Sequence, residues 1–424
     1  GAVLLAQPQP ALGDWANAQV AYQKVIDAYQ KDQERQQLAL DARFRLGECY
    51  FQQQMMEEAK NTFNLLLHEY GTSPIAAEAQ YWIGEILFEQ KKYPESIYEY
   101  QKVVNLYPQS DVADDAQYGI AMAYFQQGDY ARARSQFKVV ADNLRSDLAD
   151  AARFRMGECF RLQREFNAAI LNYKKVTPKS SYADDALYGL GTSAFELRDY
   201  SQAISVLNEI FQSYPQSPLK PYALYKLGLA YFNQKEYQKS SETFDRFFEE
   251  NRDAKLATAP PDEALFWKAR AQYELEDYPG TIQTCEKLLQ NFPNSLLQYR
   301  AEFFIAESTY WSEQIPPISP LDKGGKGGFQ SARAKYQALL NKQPSGEWAE
   351  KCRYGIGWTH FSEATLLSSG SNQAQHYERS IKAWQEVIAN HPTGEFADKA
   401  QYHIGIAYIN LKRYSEAINA FKLV

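Results

Sequence analysis

The stretch from Tyr214 to Phe248, YPQSPLKPYALYKLGLAYFNQKEYQKSSETFDRFF, predicts two helices joined by a tight turn. In its first half the apolar residues recur at helical spacing, with Gly228 in their middle. We expect Ser217 to cap this helix and Pro218 to occupy its first position, where a missing N–H costs nothing. Such a hairpin cannot bury both of its faces alone, so the stretch predicts neighbours of the same kind.

Copies of this hairpin fill the chain. We number Gly228 as position 8, and its equivalents follow one another at intervals of 34 to 51 residues: Gly47, Gly84, Ala121, Gly157, Gly191, Ala269, Ala306, Gly357 and Gly405. The second helix has a small site, occupied by Ala59, Ser96, Ala133, Ala169, Ala203, Ser240, Thr281, Ala332, Ser380 and Ala417. Four residues later it has a large site, occupied by Phe63, Tyr100, Phe137, Tyr173, Leu207, Phe244, Cys285, Tyr336, Trp384 and Phe421. A small residue facing a large one is what two closely packed antiparallel helices require.

Composition excludes several classes of function. The 424 residues include 45 basic and 52 acidic ones, and a net charge of −7 argues against nucleic acid as the principal ligand. No apolar run approaches the roughly 18 residues of a membrane span. The run 324–328, GGKGG, lacks the preceding strand and the following Ser or Thr of a phosphate-binding loop.

Neither the cysteines nor the histidines form a motif. The four cysteines lack CxxC spacing and stand where other copies carry alanine or aromatic residues, which predicts small buried thiols. The five histidines are scattered, so the sequence predicts no metal site, no cofactor and no catalytic arrangement. Free thiols fit a reducing compartment, although buried thiols do not exclude the periplasm.

The repeat resembles the tetratricopeptide repeat, whose helix pairs carry a small residue at position 8, an alanine after the turn and a closing proline. The linker pattern YPxS, seen at Tyr107–Ser110 and Tyr214–Ser217, is similar to that of a bacterial subfamily. This subfamily includes the lipoprotein of the outer-membrane β-barrel assembly machine and the periplasmic coordinator of the Tol-Pal system.

The resemblance implies an all-α fold, a right-handed α-solenoid (superhelix) of about ten helix-turn-helix repeats. We expect one array over residues 1–424, cut at both ends. Three segments depart from the repeat: 249–262 is expected to be a stretched linker, and 315–328 and 366–376 are expected to be inserted loops.

One stripe of the first helices is the candidate binding surface. At about 100° per residue, positions 2, 5, 9 and 12 share one face, which lines the concave groove in tetratricopeptide arrays by resemblance. The candidate groove residues are Phe44, Glu48, Tyr81, Glu85, Phe88, Asp115, Tyr118, Phe125, Glu158, Tyr188, Tyr225 and Phe232. The rings form an aromatic floor for a partner or stack between repeats as stiffeners, and the sequence leaves both interpretations open.

Acidic residues dominate the first half of this stripe and basic residues its end. Glu48, Glu85, Asp115 and Glu158 are expected to attract a partner of net positive charge, unless they are only a solvated face.

Two classes of function remain. The favoured one is a non-enzymatic scaffold that binds a protein or peptide segment in the groove, in a periplasmic or envelope-associated bacterial assembly, with the cytoplasm as the alternative compartment. Such an array could also assemble with copies of itself. The alternative function is a regulatory or targeting arm of an enzyme whose catalytic domain lies outside this chain.

Overall fold

A computed structural model describes residues 15–424 except 33, 72, 74, 144, 252–259, 315–328, 368 and 369. Within these residues the chain is helical and contains no strand. It divides into two compact units, Gly1–Ser217 and Pro218–Val424. The predicted all-α solenoid of tetratricopeptide type is confirmed, and we describe each unit by itself.

Within its described residues, the first unit has one helix followed by five hairpins, and each helix packs against the next. Its helices are α1 Trp15–Tyr29, α2 Gln36–Gln52, α3 Met56–Tyr70, α4 Ile75–Glu89, α5 Tyr93–Leu106, α6 Ala113–Gln126, α7 Tyr130–Asp142, α8 Ala149–Leu162, α9 Phe166–Tyr173, α10 Ala183–Glu196 and α11 Tyr200–Ser213.

The second unit contains five more hairpins, again with each helix against the next. Its helices are α12 Lys220–Asn233, α13 Tyr237–Glu250, α14 Pro261–Glu274, α15 Tyr278–Asn291, α16 Gln298–Gln314, α17 Gln330–Lys342, α18 Glu347–Leu366, α19 Ser371–Asn390, α20 Ala397–Asn410 and α21 Tyr414–Phe421.

The packing of each hairpin rests on position 8, the small site and the large site. A Cβ added to Gly228 would lie 2.6 Å from the ring of Phe244, so only glycine lets α12 approach α13 this closely. The small site is buried in every hairpin, and the Ser240 hydroxyl donates a hydrogen bond to the Gly228 carbonyl oxygen over 2.9 Å. The sequence pattern therefore predicted the core of each hairpin.

The start of α12 differs from the prediction. The helix begins at Lys220 with Leu219 as its N-cap, and the proline in its first turn is Pro221. The Ser217 backbone N–H donates to the Tyr214 carbonyl oxygen over 2.9 Å, which places Ser217 in the turn that precedes the helix. The prediction of Ser217 as cap and Pro218 as first helical residue was wrong.

The segment 366–376 also differs from the predicted inserted loop. Helix α18 continues to Leu366 and α19 begins at Ser371, and each is 20 residues long. The added residues lengthen both helices. The other predicted loop, 315–328, lies outside the described residues.

The four cysteines are buried, as predicted. Burial raises the pKa of the Cys49 thiol to about 11 and the pKa values of Cys159, Cys285 and Cys352 to about 12. These thiols therefore stay protonated at neutral pH and fill core sites as small apolar groups.

Candidate partner-binding surface

The position-5 rings pack within their own hairpins. Each lies against the large site of the following helix, as the ring pairs Phe44–Phe63, Tyr81–Tyr100 and Tyr118–Phe137 show with centroid distances of 5.6, 5.6 and 5.2 Å. Phe44 is buried, whereas Tyr81 and Tyr118 keep part of their surface exposed. These rings therefore help to hold the hairpin and still present an edge to solvent.

The position-12 rings contact the aromatic residue that opens the second helix. Phe88 lies 5.4 Å from Tyr93, and Phe125 lies 5.4 Å from Tyr130, both edge to face. In the second unit, Phe232 repeats this contact with Tyr237 at 5.3 Å. The rings of the stripe thus pack inside their own hairpins. Some of them also lie against the next hairpin, as the pairs Phe154–Tyr182, Phe266–Phe304 and Phe303–Trp348 show at 5.7, 5.8 and 5.5 Å.

Position 6, which sequence reasoning missed, makes the contact between hairpins. Trp82 lies 5.0 Å from Phe51 of the preceding hairpin, and Trp267 lies 5.0 Å from Phe232. Position 6 is Gly119 in the third hairpin, and in the described part of the chain no ring of that hairpin lies against Phe88. The sequence shows bulky residues at position 6 in some copies and glycine in others. This pattern could have predicted that position 6 contacts the preceding hairpin.

The glycines at position 6 belong to a buried group of three residues. Where the large site is tyrosine, its hydroxyl donates to a glutamate at position 9 of the same hairpin, and its ring fills the space that a Cβ at position 6 of the next hairpin would occupy. The groups are Tyr100 with Glu85 and Gly119, Tyr173 with Glu158 and Gly189, and Tyr336 with Glu307 and Gly355. Three of the position-9 glutamates therefore have a structural partner.

Two of the four predicted steering carboxylates also pair with arginine. Glu48 accepts from Arg45 over 2.7 Å, and Glu158 accepts from both Arg161 Nε and Nη2 over 2.9 and 2.7 Å. Burial alone would raise the pKa of Glu158, but the Arg161 and Tyr173 donors outweigh it and hold that pKa below its usual value. The charge of these two carboxylates is largely compensated inside the hairpin.

Glu85 and Asp115 are the two of these four predicted acids that do not pair with a base. Neither has a basic partner within 4 Å in the described part of the chain. Burial raises the pKa of Glu85, with Glu89 and Asp115 adding repulsion, and the hydrogen bonds from Tyr100 and Tyr81 offset this only in part. Burial likewise raises the pKa of Asp115, with Asp114 and Asp147 nearby. A cation placed here would stabilise the charged form of both carboxylates.

The remaining candidate residues lie farther along the chain. Tyr188 is half-buried on α10 of the first unit. Tyr225 and Phe232 belong to the second unit, where the Tyr225 hydroxyl donates to Glu263 and the Arg270 guanidinium lies 5.1 Å from the centre of the Phe232 ring. The structure therefore places two of the predicted acids, Glu85 and Asp115, and four partly buried rings on the neighbouring helices α4 and α6 of the first unit.

Family comparisons agree with this architecture. Models of the tetratricopeptide repeat match residues 41–73, 75–146, 118–184, 263–295 and 373–424, which together cover more than half of the chain. This chain is a tetratricopeptide repeat protein. Residues 180–259 of the repeat array match the model of the outer membrane lipoprotein family YfiO. Arrays of this type are binding surfaces for other proteins and are typically non-catalytic.

Three solved structures are similar to parts of this tetratricopeptide repeat protein. PilF of Pseudomonas aeruginosa is 14% identical, with 53% of this chain and 95% of that chain covered and a TM-score of 0.40. A tetratricopeptide repeat protein of Parabacteroides merdae is 14% identical over 69% of this chain and 98% of its own, with a TM-score of 0.40. The C-terminal part of a repeat protein of Cytophaga hutchinsonii is 15% identical over 76% and 98%, with a TM-score of 0.41.

No curated protein matches the chain. Across the residues described, no helix has the length and apolar character that crossing a bilayer requires.

Proposed function

We propose that this tetratricopeptide repeat protein is a non-enzymatic scaffold whose first unit binds a basic segment of another protein. The observation that carries the proposal is the pair of half-buried carboxylates Glu85 and Asp115, which have raised pKa values and lack a basic partner in the described structure. A partner that supplied Lys or Arg at this place would replace the missing counter-charge.

The rings around these carboxylates support the same kind of partner. Tyr81, Phe88, Tyr118 and Phe125 are only partly buried and lie on the same two helices, α4 and α6. A ring face can hold a cationic side chain, and a ring edge can pack against an apolar one. The surface is therefore suited to an extended or helical segment that alternates basic and apolar residues.

We further propose that the assembly belongs to the bacterial envelope. The support is the match of residues 180–259 to the outer membrane lipoprotein family. Fractionation of cells that express the natural gene tests this location, and recovery of the protein only in the cytoplasm would contradict it.

The binding proposal is tested with peptides selected on the full chain from a random display library and then titrated by fluorescence anisotropy. We expect the selected peptides to be rich in Arg and Lys, and their affinity to fall with added salt. Asp115→Asn and Glu85→Gln should each weaken binding by about 1 kcal/mol, roughly fivefold, and reduce the salt dependence. Because both acids have raised pKa values, affinity should also fall as the pH is lowered through the acidic range.

Asp142→Asn is the matched control, since Asp142 is an exposed carboxylate at the end of α7, a second helix. It should leave both affinity and salt dependence unchanged. Selected peptides that are not basic, or that bind Asp115→Asn as tightly as the native chain, would overturn the proposal and leave the stripe as a packing element.

A further inference from the structure

The hairpin α18–α19 has a feature that the other hairpins lack in the part of the chain that the structure describes. Both of its helices are 20 residues long, so the residues just before Tyr377 are helical instead of forming the turn. His360 and Glu363 stand one turn apart on α18, and His376 stands on the added first turns of α19. The sequence predicted scattered histidines, but the lengthened helices bring two of them together with a carboxylate.

The ligand atoms of these three residues converge. His360 Nδ1 lies 3.4 Å from His376 Nδ1, and His376 Nδ1 lies 3.2 Å from Glu363 Oε2. All three atoms lie within 4.8 Å of one another. Ligand atoms bound at the usual distances to a tetrahedral zinc ion are about 3.3–3.5 Å apart, so one edge of the triangle has that spacing and a second is close to it.

From this geometry we infer that His360, Glu363 and His376 form a binding site for a divalent transition-metal ion of the zinc type. Two imidazoles and one carboxylate suit Zn²⁺, Co²⁺ or Ni²⁺, whereas Mg²⁺ and Ca²⁺ prefer oxygen ligands. The ion would bridge α18 and α19 and would keep at least one coordination position for water.

The surroundings bear on this inference in two ways. Burial, with Arg333, His376 and Arg379 nearby, lowers the pKa of His360 to about 3, and the two guanidinium charges that contribute to this would also repel a cation. Arg333 donates to Glu363 Oε2 and, through Nε, to the Thr359 hydroxyl over 3.0 Å. The ion would share the carboxylate with Arg333, as ligating carboxylates commonly carry a second hydrogen-bond donor.

The experiment titrates the metal-free full chain with Zn²⁺ by calorimetry and with Co²⁺ by visible absorption. We expect one Zn²⁺ per chain, the Co²⁺ bands of a low-coordinate site with nitrogen ligands, a rise of the melting temperature with Zn²⁺, and no binding of Mg²⁺. Loss of an outer-shell group typically costs 10- to 100-fold in metal affinity, so His376→Ala, which removes a ligand, should weaken Zn²⁺ binding by roughly 100-fold or more.

His68→Ala is the matched control, because His68 is exposed on α3 of the first unit. It should retain one Zn²⁺ per chain and the full rise of the melting temperature. Glu363→Gln tests the site independently in case His376→Ala does not fold, and circular dichroism reports folding of each variant. Equal Zn²⁺ affinities of the native chain, His376→Ala and Glu363→Gln, or no Zn²⁺ binding at all, would overturn the inference.

Discussion

At the scale of single residues, the residue type at the large site is coupled to the residues at position 9 and at position 6 of the next hairpin. Tyrosine occurs there three times, each time with glutamate at position 9 and glycine at position 6 of the next hairpin. The hairpin with Phe137 instead carries Met122 at position 9, and the hairpin after it carries Arg155 at position 6. The hydroxyl requires an acceptor, and the longer side chain leaves no room for a Cβ opposite its tip.

This coupling predicts the effect of Tyr336→Phe. The Tyr336 hydroxyl donates to the buried Glu307 carboxylate over 2.5 Å, and its removal would leave that acceptor short of a donor. We expect a loss of about 1–3 kcal/mol in the free energy of unfolding, measured with urea. Adding Glu307→Met, which reproduces the natural pair of Phe137 and Met122, should recover most of the loss. An unchanged free energy for Tyr336→Phe alone would contradict the coupling.

The pair of Tyr336 and Glu307 also makes the free energy of unfolding depend on pH. Burial raises the pKa of Glu307 above its ordinary value of 4.5, despite hydrogen bonds from Tyr336 and Tyr273. The folded state therefore binds the proton more tightly than the unfolded state, and this contribution to stability is complete below 4.5 and lost as the pH rises through the folded-state pKa. The free energy of unfolding measured across this range should fall less for the Tyr336→Phe/Glu307→Met variant than for the native chain.

At the scale of elements, the short turns of the hairpins share one backbone conformation. The residue before the N-cap of the second helix is left-handed in eight hairpins, with φ of 58–62° at Gln54, Lys91, Arg164, Arg198, Lys235, Glu276 and Lys412 and 76° at Gly128. Only one of these residues is glycine. The others carry the strain of a conformation that disfavours a Cβ.

Lys91→Gly should therefore stabilise the chain by about 0.5–1 kcal/mol, because relief of the strain exceeds the backbone entropy that glycine loses on folding. Lys92→Gly is the matched control, since Lys92 is exposed, follows directly and has a φ of −86°. It should give no gain and a small loss. Urea unfolding of both variants measures the difference, and a gain from Lys92→Gly as large as that from Lys91→Gly would disprove this account.

At the scale of the whole molecule, each of the two compact units has its own buried clusters. The cluster around Phe63 and Ile86 lies in the first unit, and the cluster around Trp384 and Ile404 lies in the second. In repeat proteins stability comes from the hairpins and their neighbours, so a cut between units leaves most of these contacts intact.

We therefore expect residues 1–217 and 218–424, produced separately, to be helical and to melt cooperatively. Circular dichroism measures both properties. The 1–217 fragment should also retain the affinity of the full chain for selected basic peptides, because Glu85 and Asp115 lie within it. A fragment that is unfolded by itself would show that the array is a single cooperative body.

The sequence by itself determined the hairpin and its repetition. Small residues such as Gly228 and Ala203 at fixed spacing from large ones such as Phe244 allow only close antiparallel helices, and this constraint is local enough to be read from periodicity. The sequence also identified the face that carries the aromatic and acidic residues. Its subfamily resemblance is consistent with the match to the outer membrane lipoprotein family.

Only the tertiary structure decided what those side chains do. It paired Glu48 with Arg45 and Glu158 with Arg161, left Glu85 and Asp115 without a base among the described residues, and converted a predicted loop into the extended ends of α18 and α19. It also brought His360 and His376 together, although they stand 16 residues apart and on different helices. Counter-charges and convergent ligands depend on distances between helices, and the spacing of residues along one chain does not fix those distances.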